Sequence, residues 1–514
     1  MPAKALRAVA IALCSVFLVL MLPFTRVQAQ ETSGMAENIS GAELVREETR
    51  QFYKKGLFDN VTTYSYVLKP EDAFSLVSEK GIASVYFLFD EVPGEFLITD
   101  NETGVMKTFG RGFLHECVDL ESAFGRAPKS IRLSFPEKGV RLNEIYAFTS
   151  GELPGFVQQW EEPVEGETDL VLFSTHGDDE QLFFAGLLPY YAGEREYRVQ
   201  VVYLTDHNNN SRKRIHEMLD GLWTVGVRAY PVFGTFPDIY SGSLEEALQN
   251  YRDVGIREEE LLRFVVEQLR RFRPKVAVGH DLAGEYGHGM HKLYADLLCK
   301  AVKISADPAR YPELAEKYGL WDVPKTYLHL YKENPIRMNW DVPLETFDGK
   351  TAYEVTRDLG FPCHKTQVRA YIWYFRGSPT ADSVDEYSPC DFGLYRSTVG
   401  PDLEKNDFFE NLTTYAVDNQ MEAELIAAEQ ARQKALEEER ARAQAAEEAA
   451  RKEEQSRQEQ ARLQKARQAE EARRQAETRQ QSRRRMGMAV LVLMSAGVLG
   501  GAWIFTKQRQ KGRK

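Results

Sequence analysis

A surplus of basic residues is missing from this 514-residue chain, whose formal net charge is −12. Neutralising a phosphate backbone needs a basic surface, so a nucleic-acid partner is excluded. Cysteine is scarce: there are five, one of them Cys14 in an apolar N-terminal run, leaving Cys117, Cys299, Cys363 and Cys390. A Cys363–Cys390 bridge is a candidate outside the cytosol, though spacing does not fix connectivity. No further Cys or His stands at finger spacing from Cys363-His364, so that pair reads as structural rather than as a second metal site. Large apolar residues are few from 418 to 485, a stretch that is nearly all Ala, Glu, Gln, Arg and Lys and in which Leu436 and Leu463 are isolated. No heptad seam is sustained there. The composition predicts a charged helical stalk, about 100 Å long if continuous, or at most a loose coiled coil, with a disordered linker as the alternative.

Hydrophobic runs do occur at both ends. Lys4 and Arg7 precede an uncharged run from Ala8 to Phe24, then Val27-Gln28-Ala29, which reads as a signal peptide over 1–29 or, uncleaved, as an anchor. A second uncharged run follows Arg483–Arg485 and precedes Lys507, Arg509, Lys511, Arg513 and Lys514. It predicts a transmembrane helix at 486–506 with a basic cytoplasmic tail at 507–514. The expected localisation is therefore the cell membrane, single-pass, with the bulk of the chain extracytoplasmic.

After a lead-in at 30–59, residues 60–165 have β texture. Ser84–Phe89 is apolar and aromatic, Ile131, Leu133 and Phe135 alternate with polar neighbours, and Asn143–Phe148 is another run. This predicts a β-sandwich. It is faintly similar to galactose-binding-like jelly rolls, so carbohydrate binding stands beside plain structural packing as its reading. From 166 to 395 strands alternate with helices, predicting an α/β domain with a Rossmann-like, mostly parallel sheet. Strands are expected at Asp169–Ser174, Tyr197–Thr205, Val227–Phe233, Lys275–Gly279 and Lys325–Tyr331. Helices are expected from Gln181 onward and at Arg212–Val225, Arg257–Phe272 and Gly289–Ile304. A linker at 396–417 leads to the stalk.

Two clusters carry chemistry: Thr175-His176-Gly177-Asp178-Asp179-Glu180 after strand one, and Gly284-Glu285-Tyr286-Gly287-His288-Gly289-Met290-His291 after strand four. In a sheet ordered 3-2-1-4-5 these strands are neighbours, and the crevice beyond their carboxyl ends is where ligands bind. Imidazole and carboxylate suit zinc, and three protein ligands with one open position activate water. His176, Asp179 and His291 would supply them, leaving Asp178 free as a base. Taken singly, each cluster has a plainer reading: an Asp-Asp-Glu run caps a helix, and His-x-x-His is commonly incidental. Capping requires neither the preceding histidine nor a histidine cluster on the next strand.

With T-H-G-D-D-E at 175–180 and G-H-G-M-H at 287–291, residues 166–395 resemble the zinc-dependent N-acetylglucosaminylphosphatidylinositol de-N-acetylase family, also called PIG-L or LmbE-like. That family's motifs are (P/A)-H-P-D-D-E and G-H-x-D-H. The resemblance implies metal binding by His176, Asp179 and His291, and a general base at Asp178. It further implies an intermediate-stabilising His288, a carbonyl-polarising Tyr286, and substrate contacts from Arg214 and Glu217 in an R-x-x-E element. Two positions depart from it: Gly177 replaces proline, and Met290 replaces an aspartate that partners the histidine equivalent to His288.

The expected function is zinc-dependent removal of the N-acetyl group of a GlcNAc-like sugar in an extracellular or envelope glycoconjugate. A catalytically weakened glycan-binding surface protein is the alternative. Tyr371–Phe375 reads as core, with a sugar-stacking platform as its second reading. His280 and Asp281, closing strand four, are placed behind the ligands.

Overall fold

The structure, a computed structural model, describes residues 34–40, 45–46, 56–62, 64–206 and 213–508. The expected signal peptide at 1–29 lies outside the described residues. The chain forms two units, one running to Val417 and one from Asp418.

The first unit begins with a sandwich of two antiparallel sheets. One orders the strands Val45–Arg46, Ala73–Val77, Ser130–Ser134, Phe96–Asp100 and Met106–Phe109. The other orders Tyr66–Leu68, Val140–Phe148, Ser84–Phe89 and His115–Asp119. Period-two alternation sets the inner faces: Ile131 and Leu133 are buried while Arg132 between them is exposed. Val85, Phe87 and Phe89 point the same way and meet Phe96 and Phe135, the Phe96–Phe135 centroids being 5.3 Å apart. Tyr86 and Leu88, on the opposite face, are buried too, because Phe148 and Val157 cover them.

A seven-stranded sheet follows. Its strands are β1 (Leu170–Ser174), β2 (Val199–Thr205), β3 (Val232–Phe236), β4 (Val276–Gly279), β5 (Lys325–His329), β6 (Pro335–Arg337) and β7 (Asp391–Ser397), ordered β3-β2-β1-β4-β5-β7-β6. Helices α1 (Asp179–Leu182), α2 (Lys213–Thr224), α3 (Leu244–Asp253), α4 (Glu258–Phe272) and α5 (Gly289–Ile304) connect the parallel part. Burial on both faces explains the unbroken apolar runs. Leu170 and Leu172 face Met218, Leu219 and Leu222 of α2, whereas Val171 and Phe173 face Leu261, Val265 and Leu269 of α4 and Leu293 of α5. The sandwich rests on α2 and the segment after it: His115 Nε2 lies 2.7 Å from His216 Nδ1 of α2, and Phe113 stacks at 4.3 Å on Tyr230, which follows the helix.

The expected Rossmann-like, mostly parallel sheet is corrected. β1 to β5 are parallel, but β7 runs antiparallel to both β5 and β6. Parallel pairing needs a crossover that carries the chain back across the sheet, usually a helix. After β6 the chain passes instead through short helical turns and enters β7 from the other direction. With both sandwich sheets antiparallel, antiparallel pairings prevail over the chain. β3 lies five residues beyond the expected start, and α3 was not expected.

The segment before Tyr415 is bound to the sheet. Phe408 is buried, Lys325 Nζ pairs with Asp402 and donates to the Glu410 carbonyl, and Tyr415 N–H donates to Asp169 Oδ1 at 2.7 Å. Asp169 precedes β1, so the chain leaves this unit at the amino ends of the strands.

The second unit is one helix, Tyr415–Gln508 in full, whose described side chains from Asn419 to Ser495 are all exposed. Glu447–Arg451, Glu453–Arg457 and Glu470–Arg474 pair along it at 2.7, 2.6 and 2.9 Å, at the (i, i+4) spacing that supports an isolated helix. The expected transmembrane helix at 486–506, and with it the single-pass membrane localisation and membrane partner, is corrected. Among the described residues no helix is long and apolar enough to cross a membrane.

Candidate metal centre

The cleft lies beyond the carboxyl ends of β1, β3 and β4. β1 ends at Ser174, and the chain turns through His176 and Gly177 into α1. The turn is close to α2: a Cβ on residue 177 would fall 2.0 Å from Met218 Sδ, so the proline of the resembled motif would require the Met218 side chain to move. Asp178 occupies the cap position of α1 but makes no side-chain cap bond, which removes the plain capping reading of the motif. Asp179 Oδ2 accepts the backbone N–H of His176 at 2.8 Å.

From the other side, α5 starts at Gly289 and presents His291. Its approach is a strained turn in which Gly284, Tyr286 and Gly287 all have positive φ. For Tyr286, at φ 44°, this is a sparsely populated conformation, and it leaves the ring 46% exposed at the cleft.

Three donor atoms converge. His176 Nδ1 lies 3.0 Å from Asp179 Oδ2 and 3.2 Å from His291 Nε2, and His291 Nε2 lies 3.2 Å from Asp179 Oδ2. A tetrahedral ion with bonds of about 2.0 Å places its ligands about 3.3 Å apart, so this triangle fits one face of such a site. The other ring nitrogens are also held. His176 Nε2 lies 3.3 Å from Asp238 Oδ1, and His291 Nδ1 lies 2.8 Å from Glu285 Oε2. Carboxylates so placed would orient the two rings with their inner nitrogens toward a cation held at the triangle. Burial disfavours charge on both rings, yet Asp179 and the outer carboxylates overcome it, raising His176 to about 10 and His291 to about 9. Burial would raise Asp179, but the two imidazoles hold it well below its ordinary range. The cluster is built to hold positive charge. His288 also offers a nitrogen near His176 and His291, and His280 one near Asp179 and His291.

The remaining expected residues divide. Asp178 faces the cleft, with Oδ1 3.2 Å from Arg214 Nη2. His288 Nδ1 accepts the Met290 N–H at 3.2 Å, which places the neutral ring's proton on Nε2. Burial, then the charge of His176 and His291, pushes His288 down to about 3. Met290 itself is fully buried in the apolar layer under α5. Glu217 turns away from the cleft to accept the Thr366 N–H and hydroxyl at 3.0 and 2.6 Å. His280 donates from Nδ1 to Glu285 and accepts the Thr175 N–H on Nε2, bracing the two motifs together. Asp281 accepts the Ala283 N–H. Cys363 and Cys390 are free, so the candidate bridge is absent, and His364 Nε2 lies 3.2 Å from Glu180.

Sequence reasoning missed Asp238 and Tyr240, which line the same cleft of about 610 Å³, gave Glu285 no role, and read the run holding Trp373, a third lining residue, first as core and second as a sugar platform. Asp238 and Tyr240 follow β3, and the rule that ligands gather at strand carboxyl ends would have found them. Trp373 comes from a segment between β6 and β7 that carries no motif.

Residues 171–302 match the PIG-L family, described as GlcNAc-PI de-N-acetylase, and this stretch holds all three donors. The 1D-myo-inositol 2-acetamido-2-deoxy-alpha-D-glucopyranoside deacetylase 2 of Saccharopolyspora erythraea is 31% identical over 132 residues, 25% of this chain and 47% of that protein. The deacetylase of the same description from Rhodococcus erythropolis is 28% identical over 188 residues, 31% of this chain and 62% of that protein. This chain thus spans less than two thirds of either relative. Among solved structures, the N,N'-diacetylchitobiose deacetylase of Pyrococcus horikoshii aligns with 45% of this chain and 83% of its own at 15% identity, with a TM-score of 0.31.

Proposed function

We propose that the chain is a zinc-dependent de-N-acetylase that hydrolyses the N-acetyl group of a GlcNAc-like sugar. The observation that carries this reading is the donor triangle of His176, Asp179 and His291, with both outer imidazole nitrogens held by carboxylates. The names of the relatives supply the substrate class. Zinc fits a site of two imidazoles and a carboxylate with one position open, and when bound it supplies Lewis acidity toward the amide carbonyl and water.

The chain's own groups do the rest. Asp178 stands beside the triangle, and Arg214 occupies its Oδ1, so Oδ2 takes the proton from the attacking water. The same carboxyl then returns that proton to the departing amine, giving acetate and a free amino sugar. His288 donates from Nε2 to the carbonyl oxygen as it gains charge. Tyr286 keeps its hydroxyl proton, because burial and then Asp179 and Asp178 raise its pKa. It is the second donor.

The test is acetate release from a panel of N-acetylglucosamine conjugates, with Asp178→Asn as control. A positioned base contributes about 10² to 10⁴ in rate, and the variant should lose that much kcat while retaining zinc. Full activity in the variant would exclude Asp178 as the base, and an inert parent across the panel would exclude the substrate class.

A further inference from the structure

Around the donor triangle stand three partly bare aromatic rings, of which the proposed chemistry uses only Tyr286. Tyr240 is 75% exposed, Tyr286 46% and Trp373 48%, and all three line the cleft. Trp373 is the most exposed tryptophan among the described residues. Covering an indole is strongly favourable, so a half-bare one needs a reason.

It is not loose. Phe183, Tyr374 and Tyr387 brace it, with centroids 6.3, 5.9 and 6.1 Å away. Its neighbours Tyr374 and Phe375 are buried, so the aromatic run is core on one side and cleft wall on the other. The segment is tied down by Thr366, whose N–H and hydroxyl donate to Glu217 of α2. Trp373 is also near the chemistry: its ring meets Tyr286 edge-on at 5.7 Å, and Tyr286 meets His291 at 5.4 Å. Across the cleft Tyr240 stands edge-on to His288 at 5.2 Å.

We propose that Trp373 is the specificity-determining residue of the cleft, stacking on the apolar face of a gluco-configured 2-acetamido pyranoside while the acetamido group reaches the triangle. The negative face of an aromatic ring attracts the C–H edge of such a ring. A pyranose with all substituents equatorial offers C–H groups on both faces, whereas an axial 4-hydroxyl interrupts the face that carries H2 and H4, the face assigned here to the indole. The platform therefore selects gluco over galacto configuration. This rests on the de-N-acetylase reading of the cleft, and Trp373 touches no reacting atom.

The test uses the full chain carrying Asp178→Asn, titrated with methyl N-acetyl-β-glucosaminide and with the galacto epimer, read by calorimetry and tryptophan fluorescence. The gluco sugar should bind more tightly. Trp373→Ala should weaken it about three- to ten-fold and erase the preference, and Trp373→Phe should restore most of both. In the protein with Asp178 intact, Trp373→Ala should raise KM by a similar factor and leave kcat near the parent value. Equal binding of both epimers by the parent, or unchanged binding and KM in Trp373→Ala, would overturn the platform. Acetate release with an unmoved KM would sink the platform alone, whereas stacking without acetate release would sink the catalytic reading and leave the platform standing.

Discussion

Glu285 Oε2 lies 2.8 Å from Nδ1 of His291, and neither side chain has any solvent exposure. The same carboxyl group accepts from His280 at 2.9 Å and from His329 at 2.7 Å. Burial would raise its pKa, but the imidazoles hold it well below the usual carboxylate range. One carboxylate thus orients the ring that offers its Nε2 to the cation and braces β4 against β5. Outer carboxylates of this kind are worth about 10- to 100-fold in metal affinity. Glu285→Gln should lower zinc affinity by that factor, as measured by chelator competition. Parent-like affinity would show that His291 needs no such partner.

Zinc binding should be strongly pH-dependent. With the rings raised to about 10 and about 9 by Asp179 and the outer carboxylates, the metal-free triangle holds protons at neutrality that a cation must displace. Protons and zinc compete, so affinity rises with pH and falls in acid. Between pH 6 and 8 the binding constant should rise about 10- to 100-fold per unit, for about one to two protons released. Calorimetry in buffers of different ionisation enthalpy counts them. Zero protons released would mean that the triangle is not the site.

Met290 marks where a motif and the packing around it disagree. The resembled motif has aspartate there, but here the side chain is fully buried with Phe173, Leu293 and Tyr294. Met290→Asp should therefore destabilise the fold by about 2 kcal/mol or more, because a buried carboxylate without full hydrogen bonding is costly. Met290→Leu, which roughly conserves volume, should cost less than about 1.5 kcal/mol. Thermal unfolding checks the pair, and equal stability of Met290→Asp and parent would show that the position opens to the cleft.

The parts of the site legible in sequence were those written as local patterns. His-x-Asp-Asp and His-x-x-His fell next to apolar runs that β1 and β4 confirm, and the alternation of strands with helices marked the helix Gly289–Ile304. What pattern could not show was direction and distance. β7 carries the same alternating texture whether it runs parallel or antiparallel, so the reversal beyond β5 left no trace. Glu285 was visible among the motif residues, but its three imidazole partners come from β4, β5 and α5, which only the folded sheet brings together. Glu217, in the R-x-x-E element, proved to hold Thr366, 149 positions away. The hydrophobic run at 486–506 had the composition of a span but sits at the end of a long charged helix.

The contact between the sandwich and α2 gives the fold its own acid sensitivity. His115 and His216 are buried 2.7 Å apart, and the space around them is filled by Tyr86, Gln158 and Asp220: Tyr86 Oη is 3.1 Å from His115 Nδ1, and Gln158 donates to Asp220 at 2.7 Å. Burial pushes His216 from 6.5 down to about 4, and burial, then the neighbouring His216, holds His115 well below its usual value. Between those pH values the unfolded chain takes up a proton on residue 216 that the folded chain refuses. Stability is therefore fully present above about pH 6.5 and falls as pH drops toward 4, by roughly 3 kcal/mol from His216 alone. His216→Gln removes that proton uptake. Urea unfolding at pH 7.5 and pH 5 should show a smaller loss in the variant than in the parent. An equal loss in both would place the acid sensitivity elsewhere, in groups that do not join the sandwich to α2.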